Sequence, residues 1–228
     1  MAITRIQKKD NSASTASTVT VTLDSAPTSG NLLVATTAFR SDSAPGTAPD
    51  GTWTLAEAIA PGTPSSVRSE INIWYKVSDG TETATIWTLD STGYIGACVR
   101  EYAGANVLDV TADAGAHSTA TTHSTGTTAA TSVNDSVAVA AVGINANDPT
   151  VSWTNSFTEL AGNRTGAATA SHHSADKILT ATGTQESTCA SVSAHGAACI
   201  ATFSAAITTE GVVVLTDEPT TGVTLSDE

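Results

Sequence analysis

The residues best suited to chemistry lie together in Ser171-His172-His173-Ser174-Ala175-Asp176-Lys177. Side chains of an extended strand alternate between its faces, so His172, Ser174 and Asp176 share one face. An imidazole and a carboxylate on one face suit a metal ion or a polar ligand. A bulge, or a place at a sheet edge, explains the same polar face without any ligand. Trp74 and Trp87 fall on strand-like runs and, with Trp53 and Trp153, are candidates for a sugar-stacking platform. Scattered tryptophans in a sandwich more commonly serve as core and rim. His172, Asp176, Trp74 and Trp87 are thus the alternative ligand site that the sequence offers.

Other chemistry finds less support. The sequence contains no Gly-x-Ser-x-Gly, His-Glu-x-x-His or Cys-x-x-Cys, and no glycine-rich phosphate loop after a strand. Glu57, Glu70, Glu82 and Glu101 supply carboxylates for a glycosidase-like pair, but no spacing marks two of them as partners. Cys98, Cys189 and Cys199 are odd in number and lack metal-ligand spacing, and Cys98 and Cys199 read as small buried hydrophobes. Asp217-Glu218 and Asp227-Glu228 lack the glycine and spacing of a calcium loop. The expectation is a protein without catalytic residues, metal or cofactor.

The composition bounds the rest. The chain has 228 residues, 40% hydrophobic but only 4% aromatic and 14% charged, and Thr, Ser, Ala and Gly fill the difference. β-branched Thr and Val abound, and Lys, Glu, Gln and Met are scarce, which favours strands. The net charge of −13 disfavours direct contact with nucleic acid, because phosphates repel an acidic surface. No apolar run reaches membrane-spanning length, and no apolar segment follows the basic start MAITRIQKKD as a secretory signal requires.

Period-two alternation runs through 18–23, 32–39, 70–77, 83–89, 94–102, 136–144, 187–193 and 196–204. Turn clusters such as PTSGN, SDGTE and NANDP separate these runs. A longer repeat lies above them. Gly30-Asn31-Leu32-Leu33 resembles Asn134-Asp135-Ser136-Val137, and Trp53-Thr54 resembles Phe157-Thr158. Tyr75-Lys76-Val77 resembles Asp176-Lys177-Ile178, and Gly96-Ala97-Cys98-Val99 with Tyr102 resembles Ala197-Ala198-Cys199-Ile200 with Phe203. The predicted fold is an all-β, jelly-roll-like antiparallel sandwich of two repeats, 11–106 and 115–206, within 11–207, with two separate sandwiches as the alternative. An N-terminal arm (1–10) precedes it and a β-prone extension (208–228) follows. The stretch 117–132 reads as a linker or an edge strand. In the extension, Val213, Leu215, Val223 and Leu225 flank a Pro219-Thr220-Thr221-Gly222 turn. A lone hairpin is marginal in water, so these strands need a sheet edge to pair with.

The stretches SGNLLVATTAFRS, GTWTLAE, IWYKVSDGTETATIWTL, CVREYAGANVLD and FTEL…ADKI…ACIATFSAA resemble the duplicated β-sandwich proteins of tailed bacteriophages, prophages and some bacterial surface proteins. The resemblance spans about residues 20–206 and implies a virion structural protein of the capsid-decoration (cement) or fibre type. It implies as partners the major capsid protein or other virion subunits, assembly as a homo-oligomer with a trimer expected, and neither membrane nor direct nucleic-acid contact. Arg5, Lys8, Lys9, Val213, Leu215, Val223 and Leu225 are the candidate docking residues. The alternative is a receptor- or carbohydrate-binding module of a fibre or adhesin. Trp153-Thr154-Asn155-Ser156-Phe157 lacks the proline-rich form of the family's turn after the second Trp, and the extension from Thr208 lies outside the resemblance.

Overall fold

The computed structural model describes residues 2–40, 52–59, 70–147, 150–164 and 170–206. The chain forms β1 (Thr4–Thr22), β2 (Leu32–Arg40), β3 (Thr54–Ile59), β4 (Glu70–Val77), β5 (Ala84–Ala103) and β6 (Val107–Thr127). It continues through β7 (Ser136–Ile144), β8 (Ser152–Trp153), β9 (Thr158–Arg164), β10 (Ser171–Leu179) and β11 (Glu186–Ser204). All pairings among them are antiparallel. The first sheet has the order β1-β5-β2-β4-β3, and the second the order β6-β11-β7-β10-β9 with β8 added on β11.

The two orders correspond place by place, and one irregularity recurs. β3 skips a position against β4 between Leu55 and Glu57, and β9 skips one against β10 between Glu159 and Ala161. Leu32 stands opposite Tyr102, and Val137 stands opposite Phe203. Place in the sheet therefore matches Leu32 with Val137, one residue beyond the Ser136 that the sequence alignment chose. Asp135, at a positive φ of 56° just before β7, belongs to a turn that sequence alignment alone does not resolve.

The sheets pack face to face. Leu32, Val34, Ala38, Ile71, Ile73 and Tyr102 of the first meet Val137, Val139, Ala141, Cys199, Ala201 and Phe203 of the second in one buried cluster. The opposite faces are buried as well. At about 3.3 Å per residue, the 20-residue β5 would extend about 65 Å, roughly twice the length of β2. It bends instead, and the β1–β5 register breaks at Ala13, Ala16 and Thr18. Beyond the break, Val19, Val21, Trp87 and Leu89 pack with Leu33, Ala35 and Ile95 on the far side of the first sheet. β6 and β11 break register likewise, and Cys189 and Ala194 cover Val142 and Ala198. Each fully buried aliphatic or aromatic side chain contributes about 1.5–3 kcal/mol.

Two sequence expectations change. Thr4–Asp10 is not a free arm: it pairs with Cys98–Ala103 of β5, and Ile3 is buried in the central cluster. The first sheet therefore begins before residue 11, and the second at Val107 rather than 115. Of the two readings of 117–132, linker or edge strand, residues 117–127 take the second. The extension 208–228, with Val213, Leu215, Val223 and Leu225, lies outside the described residues.

Candidate functional site

β10 lies between β7 and β9, and its alternation does place His172, Ser174 and Asp176 on one face. That face looks across to the first sheet, not to solvent. Arg5 Nη1 donates to both carboxylate oxygens of Asp176, at 2.8 and 2.7 Å. Tyr102 Oη donates to Asp176 Oδ2 at 2.7 Å. Burial, and then the Asp176 charge, push the Tyr102 phenol well above its ordinary value, which keeps it a donor. Arg100, fully buried, donates from Nη1 to Thr36 Oγ1 (3.3 Å) and from Nη2 to Ser174 Oγ.

His172 is bonded through Nε2 to Thr36 Oγ1 at 3.0 Å. Burial first, then the nearby Arg100 and His173, hold its pKa well below the ordinary value, so its ring is neutral. His172 lies so close to Gly96 that a Cβ there would sit 2.8 Å from His172 Cβ and 2.6 Å from Tyr94 Oη. The polar face of β10 thus ties one sheet to the other. Neither His172 nor Asp176 reaches solvent, so the alternative ligand site is not assembled.

The tryptophans tell the same story. Trp87 is fully buried on the far side of the first sheet, with Trp53 edge-on at 5.4 Å and Trp74 tilted at 6.0 Å. Trp74 donates through Nε1 to Thr37 Oγ1 at 3.3 Å, and Trp87 to Thr85 Oγ1 at 3.2 Å. Trp53 and Trp87 are buried in a core against which the partly buried Trp74 packs. Cys98, Cys189 and Cys199 are free and buried, and burial pushes all three thiols up, Cys189 to about 12. Such thiols are poor nucleophiles.

The basic docking candidates are engaged within the chain. Arg5 is held by Asp176, Lys8 donates to the Leu160 carbonyl on β9, and Lys9 pairs with Asp24 at 2.9 Å on the surface. Glu101 accepts from Gln7, the Thr28 amide and Asn31, anchoring the segment before β2. Glu82 pairs with Lys76, and Glu70 accepts from Asn72. Among the described residues, no group of three His, Cys, Asp or Glu side chains is placed to hold a metal, and no helix is long and apolar enough to cross a membrane.

Two features escaped sequence reasoning. His123 is buried beneath Gly196 with neither ring nitrogen hydrogen-bonded, and its ring meets His117 edge-on at 5.5 Å. Burial, and then His117, lower its pKa to about 4. The second is an open groove of about 470 Å³ between the end of β6, the turn before β9 and the start of β11, into which Lys177 projects. The sequence signal for that groove was a difference between two similar segments, not a motif. Compared with protein-family models, curated proteins and solved structures, the chain finds no match in any of the three.

Proposed function

We propose that this chain is a non-enzymatic structural subunit of a tailed-bacteriophage particle, of the capsid-decoration type, seated on the head exterior. The observation that carries the reading is the inter-sheet tie. The residues with the most chemical potential, His172, Ser174, Asp176 and Arg100, bond across the two sheets instead of opening onto a cleft. A part that resists distortion is what a shell under internal pressure requires. The acidic net charge of −13 suits an outward face, and the sequence resemblance points the same way.

The matching strand orders and the shared irregularity near Leu55 and Glu159 support the further reading that the sandwich is jelly-roll-like and arose by duplication. On this reading the partners are the major capsid protein or adjacent virion subunits, in a homotrimer. The residues from 208 onward serve as a strand-adding arm.

Quantitative mass spectrometry of purified particles tests the proposal. Hundreds of copies per particle are expected. A handful of copies would move the protein to a fibre, and its absence from particles would end the reading. Removal of residues 208–228 is expected to leave folding intact and abolish particle binding.

A further inference from the structure

Two lysines occupy equivalent places in the two sheets and have different surroundings. Lys76 of β4 stands opposite Leu33 of β2, and Lys177 of β10 stands opposite Ala138 of β7. Lys76 Nζ is 2.8 Å from Glu82 Oε1, both side chains nearly buried, and Ser78 Oγ donates to the other carboxylate oxygen at 2.6 Å. The backbone fixes what replaces Glu82 in the second sheet. The Leu23 amide bonds the Thr83 carbonyl, and in the corresponding place the Thr128 amide bonds the Gln185 carbonyl. The residue one step earlier is Glu82 in the first case and Thr184 in the second. A carboxylate has become a hydroxyl.

Lys177 therefore has no carboxylate within ion-pair distance among the described residues, and its Nζ sits 5.8 Å above the Phe157 ring. Thr184 and Lys177 line the groove of about 470 Å³, a volume within the about 300–1,000 Å³ typical of small-ligand sites. Its other walls are polar. Asn155 and Ser156 both hold left-handed backbone, at φ 58° and 64°, a conformation that costs about 1–3 kcal/mol for each non-glycine residue. The turn is fixed by Thr154, which accepts the Thr188 amide at its hydroxyl and the Ser187 hydroxyl at its carbonyl. Asn155 Nδ2 donates to the Glu186 carbonyl at 3.0 Å. The Ser156 and Thr184 hydroxyls make no hydrogen bond among the described residues. Glu186, also in the wall, accepts from Thr127 Oγ1 at 2.6 Å and keeps acceptor capacity for a ligand hydroxyl.

We propose that this groove binds a sugar acid: a polyhydroxylated ring with a single carboxylate, free or at the end of an acidic glycan. The ligand carboxylate takes the place at Lys177 that Glu82 takes at Lys76. The ring hydroxyls meet Ser156, Thr184 and the Glu186 carboxylate. One cation beside one anion suits a singly charged ligand and disfavours a polyphosphate, which Glu186 and the acidic surface would repel. The inference stands independently of any place on a virion.

Titration of the ¹⁵N-labelled full chain with glucuronate tests it by NMR. Saturable shifts confined to the amides of Asn155, Thr184, Glu186 and their neighbours are expected, with glucose and acetate each weaker by about tenfold or more. Thr184→Glu restores the built-in carboxylate and is expected to weaken glucuronate by about tenfold or more while the rest of the spectrum stays unchanged. Lys177→Met should do the same and Lys177→Arg should retain binding. Absence of saturable shifts up to about 50 mM glucuronate overturns the proposal. Equal binding of acetate and glucuronate, or undiminished binding to Thr184→Glu, overturns it as well.

Discussion

The outer faces of the two sheets are covered by different means. On the first, Trp53, Trp74 and Trp87 stack over Leu33, Phe39 and Ile95. On the second, small residues such as Ala138, Ala140, Ala175 and Ala198 allow close approach, and His123 and His173 are buried within the layer. Matching strand orders do not dictate a matching cover. The aromatic side gains its stability from apolar area. The other side keeps imidazole nitrogens out of water, with His123 unbonded at both and His173 bonded only at Nδ1, to Glu159 at 2.8 Å. The indole cluster of the first holds no group that titrates. The second holds only while the His123 ring stays neutral.

The contrast can be broken most severely at Trp87. Trp87→Ala is expected to lower the unfolding free energy by about 3–5 kcal/mol in urea titrations, because the cavity lies at the centre of the indole cluster. Acid sharpens the contrast. An unfolded imidazole takes its proton near about 6.5, whereas His123 resists until about 4. Stability present above pH 6.5 is therefore lost as pH falls toward 4, by about 3 kcal/mol at about 1.4 kcal/mol per unit. His172, also held low, adds loss in the same direction. Glu82 works in a lower window. Burial opposes ionisation, but hydrogen bonds from Lys76 and Ser78 prevail and bring its pKa from 4.5 to about 2, so its contribution is complete above pH 4.5 and fades toward 2. Hydrogen exchange, corrected for intrinsic rates, should show the β6–β11 layer loosening at pH 5 while the Lys76–Glu82 turn stays protected. Simultaneous loss in both regions would end the distinction.

Between the sheets, Asp176→Ala leaves Arg5 without a counter-charge and Tyr102 without an acceptor. With Arg5 about one-third exposed, a loss of about 2–3 kcal/mol is expected by chemical denaturation. Least of all, Lys9→Ala removes only a surface pair with Asp24 and should shift stability by under about 0.5 kcal/mol.

The sequence disclosed the fold where apolar residues alternate. β2, β4 and β7 appear at nearly their full extent, and the common face of His172, Ser174 and Asp176 follows from strand geometry alone. It did not disclose β1 before Thr18, because TRIQKKDNSASTAS has no apolar alternation and an edge strand with a largely solvated flank needs none. The runs 83–89 and 94–102 read as separate strands, yet β5 spans both, because β1 continues as its partner beyond the register break. Which face of β10 meets the other sheet was equally hidden. The alternation defines two faces, but only the Arg5 and Tyr102 contacts, made by residues remote in sequence, decide which is inside. Lys177 looked like the twin of Lys76 until backbone bonding showed that the acidic partner had no counterpart.

The Arg5–Asp176 contact joins residues 171 positions apart. At about 5–20 residues per second, a ribosome needs roughly 10–30 s to make the intervening chain. The first sheet can pair as soon as β5 emerges, yet its inner face, with Leu32, Ile71 and Tyr102, is not covered until both β7 and β11 exist. Closure of the molecule is therefore a late event, and a chain cut short before Ser171 leaves a greasy half-product that chaperones or proteases would meet first.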